Sequence, residues 1–157
     1  MEQQVTANPL PVKSIISSPR MNHIPTEIKL NRQSRVLTVR FDDENVFELP
    51  CEFLRVHSPS AEVRGHGKGQ EVLQLHKELV NISAIEPVGN YAVRLIFDDQ
   101  HNTGLYSWPL LYDLGKNRIA LWQKYLDHLS NDQIARQSQA SDSLLTASNS
   151  DPMDTGQ

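Results

Sequence analysis

The chain has 157 residues, with fifteen Lys and Arg against nineteen Asp and Glu for a net charge of −4, and 38% apolar and 6% aromatic residues. That length is about one domain at ~100–200 residues per domain, and the acidic balance excludes a nucleic-acid binder driven by a general positive field. No apolar run approaches the ~20 residues needed to span a bilayer, the N-terminal stretch lacks the pattern of a signal peptide, and the single Cys51 leaves no internal disulfide to suggest an oxidising compartment, so a cytoplasmic protein is expected.

In chain order, residues 1–22 are rich in Pro, Ser, Gln and Asn, with Pro9, Pro11 and Pro19 interrupting any pattern. Such a stretch buries too little apolar surface to offset a backbone ordering cost of roughly 1–2 kcal/mol per residue, and is expected to be disordered. Residues 131–157 are polar, lack aromatics and invite the same expectation. The folded unit is then residues 23–130, which hold all the aromatic residues and all six histidines.

Within that unit Ile28 and Leu30, then Leu37, Val39 and Phe41, alternate with polar neighbours, and Asp42–Asn45 turns the chain into Val46–Leu49. This is a hairpin pattern with one buried face. Pro50 opens a short helix through Val56, and Pro59 lies beyond its end. Val80, Ile82 and Ala84 suggest a further strand, and Tyr91–Phe97 another that turns at Asp98–Gly104 into Leu105–Ser107. Pro109 begins a helix carrying Leu110, Leu111 and Leu114, with Gly115 as its expected C-cap. Asn117 is placed to cap a last helix, whose Ile119, Trp122, Leu126 and Leu129 form one apolar stripe. The expected class is α+β: a small antiparallel sheet with short helices packed on one side, between disordered tails. The run Val39-Arg40-Phe41-Asp42-Asp43, turn, strand, Pro50, Leu54 echoes Leu95-Ile96-Phe97-Asp98-Asp99, turn, strand, Pro109, Leu114, which reads either as a pair of related units or as a coincidence of common turn signals.

The segment from Leu54 to Gly69 is the most unusual in composition, with Arg55, His57, Arg64, Gly65, His66, Gly67 and Lys68 close together. Alternate glycines let backbone approach a ligand and expose N–H groups to an anion. No Walker loop or G-x-G-x-x-G after a strand is present, and a surface loop uses the same residues. His57, His66, His76 and His101 are of the residue type that binds metal, but their separations match no compact ligand motif. His76-Lys77-Glu78 matches the H-x-E half of an iron-binding facial triad, with His128 as a distal third residue. Cys51 at a helix start is either an activated thiol or a small core hydrophobe. No G-x-S-x-G elbow occurs. No catalytic residues are identified, and the chain is expected not to be an enzyme and to need no cofactor.

The blocks LPCEFLRVHSPSAEVRGHG, IEPVGNYAVRLIFDDQHNTGLYSW and LLYDLG resemble the small bacterial DUF971 proteins over roughly residues 24–130. That family is homologous to the N-terminal domain of γ-butyrobetaine and trimethyllysine dioxygenases, and related modules are appended to some Mrp-type iron–sulfur carrier ATPases. The resemblance implies a sheet-rich accessory domain that in the dioxygenases holds zinc through three cysteines and a histidine. Carried onto this chain, those positions are Ser58, Ser60, Val63 and His101, so only His101 keeps a ligand and zinc is not expected. A jelly-roll catalytic domain has no room in 157 residues.

The expected function is a stand-alone, non-catalytic accessory module that binds a protein partner, such as an enzyme or an iron–sulfur carrier, and neither nucleic acid nor membrane. The expected contact surface is Arg55, His57, Arg64, Gly65, His66, Gly67, Tyr106 and Trp108, because Arg supplies planar donors and aromatics supply buried area. The alternative is a metal-binding or iron–sulfur assembly accessory using the histidines and Cys51, which with one cysteine per chain requires a homodimer.

Overall fold

The computed structural model describes residues 23–65, 67 and 69–147, with side chains described as far as residue 141. The expected segment 1–22, residues 148–157 of the expected segment 131–157, and His66 and Lys68 lie outside the described residues. Strands β1 (Pro25–Asn31), β2 (Val36–Phe41) and β3 (Val46–Pro50) are followed by helices α1 (Cys51–Val56) and α2 (Ala61–Arg64). Strands β4 (Ile82–Val88), β5 (Ala92–Phe97) and β6 (Leu105–Ser107) then lead into α3 (Trp108–Lys116) and α4 (Arg118–Ala147). The strands form two three-stranded antiparallel sheets, β1-β2-β3 and β4-β5-β6. The class is α+β, as the alternation of apolar residues followed by helical spacing requires.

Each central strand turns its apolar residues inward: Leu37, Val39 and Phe41 from β2, and Val93, Leu95 and Phe97 from β5, are all at most 3% exposed. They join Phe53 and Leu54 of α1 and Leu111 and Leu114 of α3 in one core. Tyr106 is fully buried in it and donates its hydroxyl to the Leu54 carbonyl. That carbonyl belongs to the last turn of α1, where no intrahelical donor is available. Tyr106→Phe is therefore expected to cost about 1–2 kcal/mol, the penalty for a buried carbonyl left unpaired, as read from the urea midpoint at unchanged slope.

The sequence echo is structural. Phe41 N donates to Asn45 O and Phe97 N to His101 O, both at 2.9 Å. Asp42 N meets Ile24 O at 2.9 Å and Asp98 N meets Asn81 O at 3.0 Å. The side chains repeat this, Ile24 N donating to Asp42 and Asn81 N to Asp98. Glu44 and Gln100 take the same left-handed turn position, with φ of 68° and 73°. Each unit is thus two paired strands after a bulged first strand, closed by a helix. The units also exchange contacts: Arg55 of α1 reaches Asp99 in the second acidic turn, and Tyr112 of α3 reaches Asp43 in the first.

Three local expectations are corrected. Gly115 lies inside α3, which runs on to Lys116, rather than capping it, and a Cβ there would come within 2.2 Å of the Phe47 ring. The role of Gly115 is close packing, not a turn. Asn117 joins the two helices: its side chain donates back to Asp113 O as the C-cap of α3, and α4 takes only its carbonyl, which accepts from Leu121 N at 2.9 Å. The face of α4 that packs on the core carries Leu121, Trp122 and Tyr125, whereas Ile119 is 81% exposed and Leu126 is 39% exposed. The expected stripe is thus rotated by about one position.

Helix α4 also passes residue 130, where the folded unit was expected to end. From 130 to 141 its described side chains are exposed apart from the half-buried Asp132, and they include Ile134. Low apolar content reports missing burial, not missing helix. Gln, Ala and Arg are good helix formers extending an already nucleated helix, and Asp132 pairs with Arg136 one turn on.

Candidate functional site

The chain after α1 reverses through Ser58 and Pro59 into α2. Ser60 is the N-cap of that short helix, accepting from Glu62 N at 3.1 Å. Its hydroxyl also accepts from Thr103 Oγ1 at 2.9 Å, and its own N–H donates to Ser58 Oγ at 3.3 Å. His101, from the second acidic turn, lies 2.8 Å from Ser58 Oγ through Nε2 and 3.1 Å from Glu62 through Nδ1. A carboxylate only accepts, so Nδ1 carries the proton and Nε2 accepts from the Ser58 hydroxyl. Ser58, Ser60 and His101 are all at most 5% exposed.

The order Ser–His–Glu has the connectivity of a hydrolytic relay, but the geometry forbids attack. Ser58 is 1% exposed, and a Cβ on Gly104 would sit 2.5 Å from its Oγ. No acyl carbon can approach a hydroxyl packed in that way. Nor do these residues fit the zinc that the resemblance places in the dioxygenase domain. Val63 has no donor atom, two positions are neutral hydroxyls engaged with each other's neighbours, and the free lone pair of His101 is taken by Ser58. The arrangement is a hydrogen-bonded clasp tying the α1–α2 turn to the second unit.

Burial lowers the pKa of His101, with the Arg55 charge acting in the same direction and Glu62 opposing. Burial likewise lowers that of His57. Below about pH 6.5 the unfolded histidines gain protons that the folded ones resist, so the unfolded state binds more protons and stability falls with pH. We expect the urea midpoint to drop between pH 7.5 and 5.5, and His101→Gln to flatten that dependence. A midpoint that rises on acidification would contradict the clasp.

Arg55 was expected at a contact surface but is 7% exposed. Its Nε donates to Asp99 at 2.8 Å and its Nη1 to Gln74 at 3.2 Å, while Lys77 reaches the same Asp99 oxygen at 2.7 Å. Although burial raises the Asp99 carboxyl, these two cations hold it down to about 2. Tyr106 is likewise a core residue and not a contact residue. Trp108 is half-buried, packs against the core and donates Nε1 to Asn90 O at 2.7 Å. In each case a neighbouring element already uses the planar donor or aromatic surface, a relation that residue type alone does not reveal.

The remaining expected residues do face a common space. His57, Arg64, Gly65 and Gly67 line a cleft of about 690 Å³ whose opposite wall is α4, through Leu121, Lys124, Tyr125 and His128. His57 anchors one end, donating Nδ1 to Phe53 O at 2.8 Å with its ring against Phe53. The strip at residues 71–74 closes the cleft because Val72 N bonds Val63 O, and Tyr125 donates its hydroxyl to Gln74 O at 2.7 Å. Burial, with Glu52 and Glu78 nearby, pushes the Tyr125 phenol up to about 12. Gly65 has φ of +71°, and a Cβ there would meet the Gln70 carbonyl. The sequence reading missed the contribution of α4, although Leu121, Lys124, Tyr125 and His128 recur at helical spacing on one face.

Among the described residues the expected histidines do not gather into a ligand cluster. The one group close enough for a metal is His23, Asp42 and Asp43, with ligand atoms within 4.8 Å of one another. There Asp43 already bonds Tyr112 and Asn45, and His23 stacks on Tyr112. Cys51 is fully buried, and burial raises its pKa, so it presents no surface thiolate. No helix of the described residues is long and apolar enough to cross a membrane.

No curated protein is matched by the chain. Two proteins solved in solution by NMR are similar to it. One is 54% identical, with a TM-score of 0.64, covering 74% of this chain and 87% of its own. The other is 46% identical, with a TM-score of 0.62, covering 71% and 87%. A crystal structure at 1.93 Å of a DUF971-family protein of unknown function from Acidithiobacillus ferrooxidans ATCC 23270 is 37% identical, covering 58% of this chain and 91% of its own, with a TM-score of 0.49. The family model described as gamma-butyrobetaine hydroxylase-like, N-terminal, matches residues 28–112, and the chain belongs to that family.

Proposed function

We propose that the chain is a non-catalytic, cytoplasmic accessory module that binds a protein partner, and that the partner seats in the cleft between α4 and residues 57–74. One contrast supports this reading. The groups with chemical capacity near the clasp, namely Ser58, His101, Arg55 and Asp99, are engaged with one another. The cleft beside them instead offers an apolar floor and exposed cationic side chains to solvent. Buried apolar anchors with a polar rim are the composition of a specific interface. A metal or iron–sulfur role draws no support from Cys51, which is enclosed in the core.

Affinity capture from the native cell with the full chain tests the proposal. A specific partner is expected with the wild type and with Trp108→Phe, and is expected to be lost with the double variant Arg64→Glu, Lys124→Glu. Both changes in the double variant fall on exposed side chains, so the fold is retained. Equal recovery by the double variant would refute the assigned surface, and recovery of no specific partner would refute the function.

A further inference from the structure

We propose that the occupant of the cleft is an acidic segment of the partner with an apolar anchor; this rests on the partner-binding reading above and adds the chemistry of what is bound. The molecule carries a net charge of −4, yet the described fixed charges lining the cleft are Arg64 and Lys124 against Glu71 alone. His57 and His128 share the same lining, His57 with its Nδ1 committed to Phe53 O. Among the described residues, Arg64 and Lys124 have no carboxylate partner, a condition they share with Arg32, Arg35, Lys116 and Arg118, but of these six only Arg64 and Lys124 line this cleft. Two exposed, unneutralised cations on an acidic protein are complementary to carboxylates arriving from another chain.

The floor specifies the second half of the ligand. Val63 and Tyr125 are 6% and 8% exposed, and Leu121 is half-buried between them and solvent, while Val72 at the edge is 51% exposed. A cleft of about 690 Å³ falls within the ~300–1,000 Å³ of sites that enclose a ligand. It has room for an apolar side chain together with its flanking backbone. A bare polyanion would leave this floor unused and, among the described residues, would meet only two fixed positive charges in the cleft, few for the counterion release that drives nucleic-acid binding. The occupant that satisfies both features is a peptide in which carboxylates flank a leucine-like or aromatic side chain.

The test is fluorescence anisotropy on the full chain with a labelled peptide of alternating glutamate and leucine. Its counterparts carry glutamine for glutamate, serine for leucine, or lysine for glutamate. The glutamate–leucine peptide is expected to bind, with affinity falling about tenfold or more for the glutamine and serine peptides and for Lys124→Glu. The double variant Arg64→Glu, Lys124→Glu should instead bind the lysine–leucine peptide. That gain of binding shows that the variant is folded and that charge sets the choice. Absence of binding by the glutamate–leucine peptide, equal binding of the glutamine peptide, indifference to the charge reversals, or full displacement by inorganic phosphate or an oligonucleotide would each overturn the proposal. If capture from cells still yields a partner sensitive to the double variant, the partner-binding reading stands and only the acidic assignment falls. If neither peptide nor partner binds, both fall.

Discussion

Asp99→Ala is expected to be the most damaging single substitution of a charged residue, at about 3–5 kcal/mol. The carboxylate accepts from Arg55 and Lys77 on one oxygen and from His101 N on the other. Removing it strands Arg55, whose side chain is 8% exposed, as a buried cation with only Gln74 left to satisfy it. The cost is mainly that of the abandoned charge, so Arg55→Met together with Asp99→Leu should recover a large part of it. The acid limb of stability follows from the same group. Its pKa falls from 3.8 to about 2 on folding, so its contribution is complete above roughly pH 4 and is lost as pH falls through about 2. The related Asp43 in the first unit provides an internal comparison, since its partners Tyr112, Asn45 and His23 include no buried cation. Asp43→Ala should therefore be much milder, and a loss equal to that of Asp99→Ala would contradict this reading of the two turns.

Gly115→Ala is expected to destabilise by about 1–3 kcal/mol, the usual cost of overpacking. The sign is informative because the same change in an open helix would stabilise by about 1 kcal/mol through propensity alone. Here a Cβ would sit 2.2–2.6 Å from three atoms of the Phe47 ring. The ring is held in turn by Phe41 and Tyr112 at centroid distances of 5.8 Å and 5.3 Å. Adding Phe47→Leu should restore most of the loss and expose the helix-propensity gain. A stabilised Gly115→Ala single variant would mean that α3 and β3 do not approach as closely as described.

The strands were legible in the sequence because each central strand buries alternate residues and its turns carry acidic residues that bond their own backbone. Leu37, Val39 and Phe41 show this as plainly as Val93, Leu95 and Phe97. The repeat was legible for the same reason, since Asp42 and Asp98 stand at equivalent turn positions. Gly115 was misread because a glycine near a helix end has the composition of a cap whether or not a neighbour such as Phe47 demands the space, and Asn117 because an asparagine between two helices can turn its side chain to either one. The end of α4 was hidden because a solvated helix leaves no apolar period to detect.

The site was legible in part. Arg64, Gly65, Gly67 and His57 reach the cleft as their crowding suggested, whereas Arg55 and Tyr106 were drawn inward by partners distant in sequence, Asp99 and the Leu54 carbonyl. Lys124, Tyr125 and His128 were overlooked because α4 was assigned a different inward face, centred on Ile119 and Leu126.

The central claim is that a partner seats between residues 57–74 and α4. Hydrogen–deuterium exchange of the full chain, alone and with its captured partner, tests it most directly. The prediction is added protection confined to residues 57–74 and to α4 around residues 121–128, with the β-strands unchanged. Protection that appears instead along β1 and β4, or around Trp108 and α3, while the cleft exchanges as in the free protein, would contradict it.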